Sequence, residues 1–185
     1  MGIHRITHVA GLSLACGFLF CGWAAAAAPS LSEVREFDGY RVYYAGDEVA
    51  GVPLEEVEKA EWPENRRFTG WNFYYGDCAL PAGEGGCSPP LQIQNYNTCR
   101  RWADAYPGKP RLFNFRGAKA AWVSSADSLE IYTGHTTVVI FANRKSVAKR
   151  AASLIRGIRH AQSSLLPPPT PDSLWGKLPC QIKPG

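Results

Sequence analysis

Histidine is scarce in this chain. Four His occur among 185 residues, and only His135 and His160 lie beyond the apolar N-terminal run. That body holds no H-E-x-x-H and no His pair at ligand spacing, so zinc-peptidase chemistry has no motif to rest on. A G-x-S-x-G elbow and a phosphate-cradling glycine loop are missing as well, which removes the usual signposts of serine hydrolases and nucleotide binders. Glu55, Glu56, Glu58, Glu61 and Glu64 lack the Gly-containing pattern of a calcium loop and read as a solvated acidic face. No metal and no cofactor are expected. The formal charge is only +4, too mild for a nucleic-acid partner to be expected. There is no internal repeat and no βαβα alternation, which argues against a doubly wound sheet.

What is present begins with a targeting pattern. Residues 1–8 carry Arg5 and no acid, residues 9–23 are apolar and uncharged, and residues 24–28 are five alanines. Residues 1–27 therefore read as a signal peptide cut after Ala26 or Ala27. The rival reading is an uncleaved anchor, since residues 9–28 are long enough to cross a bilayer. In both cases the body is exported, to be secreted or held in the cell envelope, with Arg5 left inside. Residues 31–160 read as one domain and 161–185 as a Pro-rich tail.

Removing the leader removes Cys16 and Cys21 and leaves Cys78, Cys87, Cys99 and Cys180. An even number in an exported chain reads as disulfides, with three connectivities open. No two of them stand at zinc spacing. The Gly- and Pro-containing loop between Cys78 and Cys87 closes easily, which favours Cys78–Cys87 and leaves Cys99–Cys180 to tie the tail to the body.

Hydrophobic periodicity places strands at 40–44, 68–75, 91–96, 111–115, 118–123, 129–132 and 136–141, with a hairpin across Thr133-Gly134-His135. In 68–75, Trp71, Phe73 and Tyr75 alternate onto one core-facing side. Pro53 opens a segment, 53–62, with the spacing of a short helix or a turn. After Asn143, a natural helix cap, an apolar stripe of Val147, Ala148, Ala151, Leu154, Ile155 and Ile158 predicts a long amphipathic helix. LLPPPTP at 165–171 predicts extended surface chain. The expected fold is α+β: an antiparallel sheet of about five to six strands with one long C-terminal helix packed on one face.

Charge is uneven along the chain. Residues 31–99 hold five Lys/Arg against twelve Asp/Glu, and residues 100–160 hold twelve against three. The simple reading is that acidic and basic halves meet in one domain. The sharper one is a basic helix face over 144–159, with Lys145, Lys149, Arg156 and Arg159 offered to an anionic surface. For catalysis, the candidates are Asp77 with Glu84 or with His135, a carboxylate-based hydrolase beside an aromatic strand able to stack a sugar. Glu84 in a Gly-rich loop is a poor place to hold an acid, and His160 suits a helix C-terminus.

The segments Gly76-Asp77-Cys78, Gly85-Gly86-Cys87-Ser88-Pro89-Pro90-Leu91 and LEIYTGHTTVVIF (129–141), with Cys99 and the basic amphipathic segment, resemble a group of uncharacterised exported bacterial proteins. The resemblance spans roughly residues 40–160. It implies an extracytoplasmic domain with bridged cysteines, and it carries no activity and no catalytic residues. The resulting expectation is a non-catalytic binding or structural module, its partner an envelope component or an anionic surface. The alternatives are the small envelope hydrolase and adhesion through the basic helix.

Overall fold

The computed structural model describes residues 30–61, 69–77, 88–98, 108, 110–159 and 163–170. Among them the chain forms α1 (Leu31–Glu36), β1 (Tyr43–Tyr44), β2 (Glu48–Val49), β3 (Val52–Glu61), β4 (Thr69–Tyr75), β5 (Leu91–Asn97), β6 (Phe113–Phe115), β7 (Ala118–Val123), β8 (Ser128–Thr133), β9 (Thr136–Ala142), α2 (Lys145–Leu154) and β10 (Arg156–Gly157). Eight strands make one antiparallel sheet in the order β2-β3-β4-β5-β9-β8-β7-β6, and β1 pairs with β10 apart from it. No helix among the described residues is long and apolar enough to cross a membrane. Residues 1–29, which include the expected leader, and Glu84, His160 and the cysteines Cys78, Cys87, Cys99 and Cys180 lie outside the described residues.

The α+β expectation is corrected: the molecule is mostly β, and its C-terminal helix is short. Two segments make the difference. Of the segment 53–62 with its helical spacing, residues 53–61 instead supply most of β3, a ten-residue strand, and residue 62 lies outside the described residues. Ala50 (φ 53°) and Gly51 (φ 81°) form a two-residue turn between Val49 and Val52 that launches the chain back along β2. A bulge between Leu54 and Glu56 then resets the register against aromatic β4. Pairing with β4 outweighs the helical spacing, because strand formation answers to cross-strand neighbours more than to local preference.

The second segment is the helix. Its apolar stripe runs on to Ile158, yet α2 stops at Leu154 and Ile155 turns extended (ψ 137°). The stop comes from elsewhere in the chain. Arg116, at the β6–β7 turn, donates from Nη1 to the carbonyls of Ala152, Ser153 and Ile155 at 3.2, 3.2 and 2.9 Å. Its Nε and Nη2 reach the carbonyls of Ser164 and Ser163. A guanidinium fork thus satisfies carbonyls that the last helical turn leaves orphaned. The released chain forms β10, and Ile158 N–H donates to the Val42 carbonyl at 3.0 Å. The start also differs from expectation. Arg144, without a side-chain cap bond, is the N-cap, and Asn143 is not.

The main core lies on one face of the sheet, and a smaller cluster of Ala121, Val123 and Tyr132 is buried on the other. Trp71, Phe73, Tyr75, Leu91, Ile93, Ile131, Val138 and Ile140 are all at most 2% exposed. Ala148, Ala151 and Ala152 bury the inner side of α2 against it, and Ala side chains permit a close approach of helix to sheet. Residues 40–46 are held over the same face by side chains of the strands. Asn95 acts as a piece of backbone: Tyr43 N–H donates to its Oδ1 at 2.8 Å, and its Nδ2 donates to the Tyr43 carbonyl at 2.9 Å. Thr136 Oγ1 donates to the Arg41 carbonyl. Tyr75 OH accepts from Ala45 N–H and donates to the Gly46 carbonyl.

Candidate functional site

The paired strands define two ends. At one end, register aligns Tyr75, Leu91 and Ala142; at the other, Asn97 faces Thr136. Asp77 follows β4 at the first end, and His135 tops the β8–β9 hairpin at the second. A seven-residue strand separates them by roughly 20 Å, so the Asp77–His135 pair suggested by the sequence is not formed.

Asp77 instead lines a cleft of about 520 Å³ at its own end, within the size range of ligand sites. Gly76 (φ 77°) turns the chain there, and a Cβ on it would come within 2.7 Å of Val52 Cγ1. Across the cleft stands Asp127, which the sequence reading passed over. It holds the left-handed conformation (φ 45°) after a single 3-10 turn between β7 and β8. The signal was present: Asp is among the few residues that tolerate this conformation in a turn. Both carboxylates are exposed.

Between them the wall comes from the outer face of the sheet. Gln92 and Gln94 alternate along β5, and Phe141 stands opposite Gln92 on β9. Asn143, released from the capping role, lines the same space, and its N–H donates to the Pro90 carbonyl at 3.1 Å. Pro89 and Pro90 add apolar surface. Amides, carboxylates and a flat ring thus share one wall. Beside Gln92, Tyr74 donates a short hydrogen bond to Glu58 Oε2, which also accepts from Asn72 Nδ2. Partial burial first, and the Glu58 carboxylate second, push the Tyr74 hydroxyl up to about 12.

The four basic residues assigned to one helix face are dispersed. Lys145 and Lys149 are exposed on α2, with Lys145 Nζ 5.7 Å from the Trp122 ring centroid. Arg156 belongs to β10, where it donates to Tyr44 OH and sits 5.2 Å from that ring's centroid. Arg159 lies beyond β10 and lines a cleft that His135 also lines. The basic helix over 144–159 is therefore not formed as a unit. Among the described residues, no group of three or more His, Cys, Asp or Glu gathers as a metal site. Comparisons with family models, curated proteins and solved structures found no match.

Proposed function

We propose that this chain is an exported, disulfide-bonded binding module of the cell envelope, and that the acidic cleft is where it holds a saccharide. Export rests on Arg5, the apolar run and the alanine cluster. The observation that carries the saccharide reading is the joint lining of one cleft by Asp77, Asp127, Gln92, Gln94 and Asn143. Carboxylates accept from sugar hydroxyls, and amides both donate and accept. Phe141 and the two prolines offer apolar faces for the C–H side of a pyranose. The two acids with no cation among the described lining residues disfavour acidic sugars.

Calorimetry with neutral N-acetylglucosamine oligomers and with galacturonate oligomers tests this. The neutral oligomer is expected to bind and the acidic one to bind at least about tenfold more weakly, ~1.4 kcal/mol. Asp77→Asn and Asp127→Asn should each weaken the neutral ligand by up to about tenfold, the scale of one hydrogen bond to a charged group. Absence of neutral binding, or equal binding of the acidic oligomer, overturns the reading.

A second reading has one observation in its favour. Two carboxylates facing one cleft is the arrangement that glycosidic cleavage requires. Release of reducing ends by the native protein, abolished by Asp77→Asn at unchanged thermal midpoint, would replace binding by hydrolysis.

A further inference from the structure

The other end of the sheet carries a second cleft, about 330 Å³, between the α1–β1 segment and the β8–β9 turn. Its charged lining is Arg41, His135, Arg159 and a single carboxylate, Asp38, among the described residues. Arg41, His135 and Arg159 are exposed. Among the described residues, none of their side chains takes part in a hydrogen bond or ion pair, in contrast to Arg116 and Arg156, whose guanidiniums are both engaged. Two free guanidiniums beside an imidazole leave an excess of positive charge that one carboxylate cannot offset.

The positions are held firmly. The Arg41 carbonyl accepts from Thr136 Oγ1 at 2.7 Å, and the His135 carbonyl accepts from Thr98 N–H at 2.9 Å. The N–H of Ile158, next to Arg159, bonds the Val42 carbonyl. All three side chains are thus borne on backbone tied to the sheet or to the segment clamped over it, so little ordering remains for a ligand to impose. Below the rim the walls are apolar. Val34 and Val42 are buried, and Ile158 is half-buried. The Phe37 ring packs edge-on against Tyr40 at 4.9 Å and Trp71 at 5.8 Å between centroids.

We infer that this cleft is a binding site for a small amphiphilic oxyanion, a phosphate or carboxylate carried on an apolar body. The Arg41 and Arg159 forks would take the oxygens in the bidentate manner open to guanidinium and closed to ammonium. The apolar walls would take the body. Either half of such a ligand binds more weakly alone, because the cationic rim and the apolar floor each contribute only part of the affinity.

The test titrates the full exported chain with phenyl phosphate, benzoate and inorganic phosphate by calorimetry in moderate salt. Phenyl phosphate and benzoate should bind, and inorganic phosphate should bind at least about tenfold more weakly than phenyl phosphate. Arg41→Gln and Arg159→Gln should each cost about five- to tenfold, and the double variant should lose binding, with thermal midpoints unchanged because both side chains are exposed. Vesicles of phosphatidylglycerol and of phosphatidylcholine separate a headgroup from a soluble anion. Adherence to the anionic vesicles without phenyl phosphate binding overturns the site in favour of surface adsorption. Equal affinity for inorganic and phenyl phosphate removes the apolar floor from the proposal and overturns it as stated. Unchanged phenyl phosphate binding in the double variant overturns it outright.

Discussion

At one end of the β5–β9 pair two carboxylates face solvent, and at the other two guanidiniums and an imidazole do. The same strands set both ends, so the difference lies in what the connecting segments bring. The linear charge split does not explain it. Asp77 comes from the acidic stretch of the sequence and Asp127 from the basic one, yet they share a cleft. Arg41 comes from the acidic stretch and Arg159 from the basic one, and they share the other. An antiparallel sheet sorts residues by the end at which each connection emerges, not by position along the chain. The walls differ too. Outer-face amides of β5 line the acidic cleft, whereas apolar groups of the α1 region, of the clamped segment 40–46 and Ile158 line the basic one.

The largest effect should erase the comparison. Ile140 is fully buried at the centre of the sheet, opposite Ile93 and Leu129. Ile140→Ala should cost about 2–5 kcal/mol and lower occupancy of both clefts together, seen in the urea midpoint and in both ligand titrations. Asn95→Ala should break the basic end alone. It leaves the Tyr43 N–H and carbonyl without their buried partner, at about 1–3 kcal/mol for a group left unsatisfied. Hydrogen exchange should accelerate at the Ile158 amide while saccharide affinity holds.

Gly76→Ala should do the reverse. It forces a side chain into the left-handed region, at about 1–2 kcal/mol, and against Val52 and Pro90. Saccharide affinity should fall while phenyl phosphate binding persists. The smallest effect sharpens the acidic side. Tyr74 stays protonated up to about 12 when folded, against 10.0 for its ordinary value. Between those values the unfolded chain ionises and the folded chain does not, so stability should decline as pH rises through that window. Tyr74→Phe should flatten that part of the decline, read as the urea midpoint against pH beside the native protein.

Much of the sheet was legible because strand periodicity is local. The alternation of Trp71, Phe73 and Tyr75 and the run ending in Ile140 and Phe141 correspond to β4 and β9. The Gly134 turn reads directly as a hairpin, since Gly takes its φ of 53° without a side-chain penalty. Asp77 could be singled out from its neighbourhood alone. Asp127 could be read locally only as a turn residue, because nothing near it in the chain says that it faces Asp77.

By itself, the sequence determined the strand character of β4, β5 and β9 and an amphipathic segment after Asn143. These depend on the order of neighbouring residues, and periods of two or of three to four can be read from a single stretch. Tertiary structure decided that residues 53–61 become a strand, because β4 lies alongside them with matching partners. It decided that the helix ends at Leu154, because a guanidinium 36 residues away bonds its last carbonyls. It decided which charges meet. Each of these outcomes is a contact between distant parts of the chain, and the spacing of residues within one segment carries no term for such a contact.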